Sequence, residues 1–175
     1  IFFTDNFRYF VLFLSNNHTV AQNPDVRLYG CKELCIVIEE ALYALTKEPF
    51  ASQLHGDISP AHKALWEMQV PFFEAMELLC RSIHPEIRIE ALESVYRILQ
   101  TSGQVISSGW SIILPILMSI GLDSTDPQLI PLAFKSLQLI VADYLPNLPI
   151  GMVLHSFIFF FFVFSHFKQN SPFCY

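Results

Sequence analysis

No run of lysine or arginine appears in this 175-residue chain, and its formal net charge is only -6. A nucleic-acid surface is built from clustered basic side chains, so that partner is disfavoured. No segment alternates apolar and polar residues over a useful length, and Asn-Gly and Asp-Gly are absent. A fold made of β-hairpins is thereby disfavoured as well. The four cysteines, Cys31, Cys35, Cys80 and Cys174, form no disulfide framework, which fits a reducing compartment. The run Phe157–Phe164 extends back to Ile150 only by including His155 and Ser156. A transmembrane helix needs about 20 mostly apolar residues. The chain has no initiator methionine and opens within an apolar stretch, so it reads as a fragment.

What the sequence does contain is a recurring helix start. His84-Pro-Glu-Ile-Arg-Ile-Glu-Ala-Leu has an earlier cousin in Asn23-Pro-Asp-Val-Arg-Leu and a later one in Asp126-Pro-Gln-Leu-Ile-Pro-Leu-Ala. Each joins a polar residue to a proline and an amphipathic run. Proline suits the first turn of a helix, where its missing N–H would have no partner anyway. Asn23 and Asp126 are good N-caps and His84 a poorer one. Asp25 and Glu86 lie near the positive end of the helix dipole. With Pro85 placed on Pro127, Ala91 meets Ala133, Ser94 meets Ser136, Val95 meets Leu137, Ile98 meets Ile140 and Leu99 meets Val141. That offset lies in the range of about 40–47 residues typical of HEAT and armadillo units. Ile87, Ala91, Val95, Ile98 and Leu99 fall on one helical face, with Arg88, Glu90, Glu93 and Arg97 elsewhere.

Helices are therefore expected at Val26–Leu45, His62–Ser82, Glu86–Gln100, Val105–Ile120 and Gln128–Tyr144. Pro71 should kink or break the second, and Pro115 should disturb the fourth. The fold class is all-α: an armadillo/HEAT-like, right-handed superhelical stack of antiparallel helical hairpins. Residues 1–149 form the repeat segment, with Ile1–Leu14 supplying the helix that pairs with the one begun at Pro24. Residues 150–175 are a Phe-rich tail, since most of the 17 phenylalanines lie near the two ends. The tail reads as a short helix of a further repeat, as a membrane segment, or as a piece foreign to the fold.

Few residues invite chemistry. Cys31 and Cys35 have the i, i+4 spacing of a shared ligand, but His18 and His62 offer no tight second pair, so sulfur packing is the better account. Cys80 and His84 have nucleophile–base spacing without an orienting acid or an oxyanion loop. Trp110 reads as a core residue at the start of its helix. Arg27 and Arg88 occupy one repeat position and should bond acids of the adjacent unit, a ladder that Ile130 breaks in the third copy. Glu39 with Glu40, Glu74 with Glu77 and Glu90 with Glu93 read as solvated faces. Asn17-His-Thr19 fits a glycosylation pattern that a cytosolic chain would not use. No catalytic, cofactor-binding or metal residue is assigned.

Gly103-Gln-Val-Ile-Ser-Ser-Gly-Trp-Ser-Ile-Ile-Leu-Pro-Ile-Leu117 resembles a block of the large Golgi trafficking proteins, where Ser-Gly-Trp opens a helix between HEAT hairpins. Ala133-Phe-Lys-Ser-Leu-Gln-Leu-Ile-Val-Ala-Asp-Tyr-Leu-Pro-Asn-Leu-Pro149 is closer to the monensin-sensitivity (Mon-two) family than to the large Arf guanine-nucleotide exchange factors, its relatives. So is the pairing of Asn23-Pro-Asp-Val-Arg with His84-Pro-Glu-Ile-Arg. The resemblance spans roughly residues 22–149. It implies a non-catalytic scaffold of Golgi–endosome vesicle traffic on the cytoplasmic face of the Golgi, trans-Golgi network and endosomes. It also implies peripheral membrane association of the full-length protein. Dopey-family proteins, a phospholipid flippase and Arf-like GTPases would be its partners. Three rival readings are a regulatory helical region of an Arf exchange factor, a generic HEAT adaptor, and a membrane-embedded protein with an amphipathic cytosolic part.

Overall fold

The structure, a computed structural model, describes residues 23–47, 60–122, 126–148 and 151. Six α-helices appear among these residues: α1 (Pro24–Thr46), α2 (Pro60–Glu67), α3 (Gln69–Cys80), α4 (Pro85–Ser102), α5 (Trp110–Leu122) and α6 (Leu129–Leu139). A 3-10 turn at Gly103–Val105 follows α4. A π-helical turn at Ile140–Tyr144 and a 3-10 turn at Leu145–Asn147 follow α6. No strand occurs among the described residues, and the fold is all-α. The stretch Ile1–Leu14, Asn17, His18, the His62 side chain, the boundary after Pro149, the tail and Cys174 lie outside the described residues.

The helices form two layers. Helix α4 packs between α1 and α6 in one layer, and α3 packs against α5 in the other. The hairpins α3–α4 and α5–α6 join the layers, and α2 lies against α1 and α3. This is the stacked-hairpin arrangement of armadillo/HEAT-like repeats.

Local chemistry sets the helix starts. The Asn23 side chain accepts a 2.9 Å hydrogen bond from the Asp25 N–H, and Pro24 follows at the first helical position. At α4 the His84 side chain makes no capping bond, as expected of a weak cap, and Pro85 opens the helix. The third start differs. Asp126 Oδ1 accepts from the Gln128 N–H at 3.2 Å, so Pro127 lies in a turn and α6 begins at Leu129. The 42-residue register still holds in the core. Ala91 and Ala133, Ser94 and Ser136, Val95 and Leu137, and Ile98 and Ile140 are all buried pairs of positions.

His62–Ser82 is two helices with a break at Met68, the interruption expected of Pro71, and two other expected helices are corrected. Pro71 cannot donate to the carbonyl four residues back, that of Glu67, and α2 ends there. Within α3, Gln69, Phe73, Met76 and Cys80 share one face at helical spacing, and Phe73 is fully buried there. Val105–Ile120 begins instead at Trp110. The buried Gln69 amide holds the loop before it: Gln69 Nε2 donates to the Val105 carbonyl at 2.9 Å, and Gln69 Oε1 accepts from the Ser107 N–H at 3.0 Å. Gly109 then passes so close to the Phe73 ring that a Cβ would collide with it. Pro115, exposed on the outer side of α5, leaves that helix unbroken. Finally, Gln128–Tyr144 is α-helical only to Leu139 and then widens into the π turn.

The π turn delivers Tyr144 to the end of α4. Its hydroxyl donates a 2.6 Å bond to the Leu99 carbonyl, in the last turn of that helix, where internal partners run out. Its ring lies against Gly103, where no Cβ would fit, and 5.8 Å from the centroid of the fully buried Trp110. Burial pushes the Tyr144 phenol above its ordinary range, with the Asp143 carboxylate adding to the effect. The hydroxyl thus stays a donor.

Two stability predictions follow from this packing. Val95 is fully buried and Glu93 is exposed. Val95→Asp should destabilise by about 3 kcal/mol or more, because a charge enters an apolar core, while Glu93→Ala stays within about 0.5 kcal/mol. Equal thermal stability of the two variants would remove the assigned face. Tyr144→Phe should cost about 1–3 kcal/mol by leaving the Leu99 carbonyl unsatisfied, as read from urea denaturation midpoints.

Candidate functional site

The densest arrangement of charge runs along the layer formed by α1, α4 and α6. Arg27 Nη2 on α1 donates to Glu86 Oε1 on α4 at 3.1 Å. One repeat later, Arg88 Nη2 on α4 donates to Asp126 Oδ2 at 2.8 Å, just before α6. The expected ladder therefore exists: each arginine reaches an acid at the start of the next helix. Ile130 occupies the corresponding place in α6 and carries no charge to extend it.

Between these rungs lies a second network. Arg97 Nε donates to Glu39 at 3.0 and 3.2 Å, and Arg97 Nη2 donates to Glu90 at 3.1 Å. Glu39 Oε1 also accepts from the buried Ser94 hydroxyl at 2.6 Å, and Lys32 lies 3.8 Å from Glu90. Glu39 and Glu90 are thus not simple solvated faces. The amphipathic pattern misplaced them because α1 covers a flank of α4 that a single-helix pattern treats as outside. Glu93 keeps 51% of its side chain exposed and meets Arg97 only at 3.9 Å, closer to the expected solvated role. Burial works against the Arg97 charge, but the hydrogen bond and field of Glu39, with those of Glu90, raise its pKa. Partly solvated pairs of this kind contribute about 1 kcal/mol or less each, so their main effect is on register and angle.

The cysteines are placed by packing. Cys31 and Cys35 on α1 and Cys80 on α3 are buried free thiols in one core region. The hydrogen bond to Cys35, then burial, pushes the Cys31 thiol up; burial, then the field of Cys35, does the same to Cys80. A thiol held in its neutral form is a poor nucleophile and metal ligand. Among the described residues no group of three or more His, Cys, Asp or Glu side chains is arranged to hold a metal. Trp110 is fully buried, as a core residue at a helix start should be. No described helix is long and apolar enough to cross a membrane.

What remains for recognition is the outer side of the first layer. Val26, Tyr29, Ile36, Val37 and Tyr43 on α1 are exposed large apolar side chains, between 45% and 66% accessible. Lys135 sits 4.4 Å above the Tyr96 ring, joining α6 to α4 on the same layer.

Titration of the first rung is open to measurement. Partial burial tends to raise the Glu86 pKa, but its own backbone N–H and the Arg27 guanidinium outweigh this and hold the carboxyl below its ordinary 4.5. A depressed folded-state pKa contributes stability above the unfolded value and loses it as pH falls through the folded value. The advantage of the natural chain over Glu86→Gln should therefore be present at neutral pH and be lost as pH falls below the ordinary carboxylate range, as followed by thermal melts.

Comparison with known proteins fits this architecture. Residues 60–139 match the Sec7-like HDS family, described as Mon2/Sec7/BIG1-like. Over 132 residues the chain is 30% identical to a protein named MON2 homolog from Homo sapiens, and 31% identical to the one from Xenopus laevis. The Drosophila melanogaster homolog is 26% identical over the same length. Each alignment covers 74% of this chain but 7% of the relative. No solved structure matches. The stacked helices of this chain belong to the Mon2/Sec7/BIG1-like family, as a Mon2-like segment.

Proposed function

We propose that this segment is part of a non-catalytic helical scaffold in Golgi–endosome vesicle traffic, on the cytoplasmic face of those membranes. The observation that carries this reading is the use made of the charged side chains. Arg27, Arg88, Arg97, Glu39, Glu86, Glu90 and Asp126 all tie helix to helix. Outward on α1, the large side chains of Val26, Tyr29, Ile36, Val37 and Tyr43 are exposed among the charged Asp25, Lys32, Glu33 and Glu40, a mixture of apolar, aromatic and charged groups that suits a docking surface. A stack of this type holds its shape internally and offers an extended side to partners. By family, those partners are a Dopey-family protein, a phospholipid flippase and Arf-like GTPases, with the full-length protein held peripherally on the membrane.

A second reading, a regulatory helical region of an Arf exchange factor, draws on the Sec7/BIG1-like part of the family description. One experiment separates the two. The full-length protein, tagged and expressed at natural levels, should localise to Golgi and endosomes and co-purify a Dopey-family protein. Purified, it should leave nucleotide release from Arf GTPases unchanged. Accelerated nucleotide release would favour the exchange-factor reading, and a location away from both compartments would remove the trafficking role.

A further inference from the structure

Helix α2 is held to the fold on different terms from α3. It has eight residues, fewer than the about 12–15 that an isolated helix needs for even marginal stability in water. From Lys63 to Glu67 none of its side chains is buried. Leu65 and Trp66 are half-covered against the core, and Lys63, Ala64 and Glu67 are exposed. Helix α3 is anchored from its first residue. The buried Gln69 amide is bonded to Val105 and Ser107, and the Phe73 ring lies against Gly109.

The backbone link between the two helices is slight. The Met68 N–H is shared between the Ala64 and Leu65 carbonyls at 3.1 and 3.2 Å, and the Phe72 N–H donates to the Met68 carbonyl at 3.0 Å. No other backbone bond crosses the break among the described residues. Pro71 has no N–H to offer the Glu67 carbonyl, so the helical ladder cannot close over the junction. A residue at the end of an element, between a loosely held segment and a fixed one, is where a hinge forms.

We infer that α2 is a hinged flap, turning about Met68, that lifts from α1 while α3–α6 stay folded. Opening turns Leu65 and Trp66 out to water and uncovers the surface of α1 and α3 on which α2 lies. Helix α3 cannot follow, because seven of its residues are buried and its first turn is tied to the loop before α5. Once lifted, a helix as short as α2 does not keep its own hydrogen bonds, so its amides exchange whenever it opens.

Hydrogen exchange of the full-length protein, read by mass spectrometry, tests the flap. Amides of residues 64–68 should exchange at least about tenfold faster than those of residues 73–80. Their rate should barely respond to urea below the unfolding transition, because the opening exposes little surface. Pro71→Ala supplies an N–H to the Glu67 carbonyl, so it should slow exchange at 64–68 severalfold and leave 73–80 unchanged. Trp66→Ala should speed exchange at 64–68 and again leave 73–80 unchanged. Equal protection of the two segments, or an equal response to urea, overturns the inference. So does exchange at 64–68 that Pro71→Ala fails to slow. Acceleration of both segments together in Trp66→Ala does so too, since α2 and α3 would then open as one unit.

Discussion

Helix α4 has no free side except a strip around Glu93 and Gln100. Its apolar stripe of Ile87, Ala91, Val95, Ile98 and Leu99 must be covered by α3, while α1 and α6 close its flanks. The rest of the described structure depends on that requirement. A single amphipathic helix cannot remove such a stripe from water alone, and a hairpin leaves one side open. The neighbouring unit supplies the missing cover. The charged residues at the margins then fix how the neighbours sit, because Arg27, Arg88 and Arg97 each find an acid beyond their own helix.

Much of this was readable from the sequence because it is periodic. The proline starts, the 42-residue register and the buried face of α4 follow from rules that act within one helix or between equivalent helices. The arginine ladder was readable for the same reason, since Arg27 and Arg88 share a position. The failures have a common cause in long-range contacts. The late start of α5 is set by the Gln69 amide, which bonds a loop 36 and 38 residues away in sequence. The Phe73 ring has its place because Gly109, 36 residues away in sequence, leaves room for it. The roles of Glu39 and Glu90 appear only when α1 lies against α4. A pattern read along one helix cannot contain such information.

The recognition surface follows from the same division of labour. Charges that hold the layers together are unavailable to a ligand. The outward residues of α1 make no such contacts and can vary without loosening the stack.

The closure of α4 by Tyr144 bears on where one unit ends and the next begins. The carbonyl of Leu99 and the hydroxyl that satisfies it are 45 residues apart, on opposite sides of the border between two hairpins. Gly103, at that border, is shaped by a ring from the following unit. The apparent joint between repeats is therefore not a seam along which the chain could be divided. A hairpin excised by its helix boundaries would lack its own terminal lock, so opening in one unit should propagate to its neighbour and the stack should melt as a coupled whole.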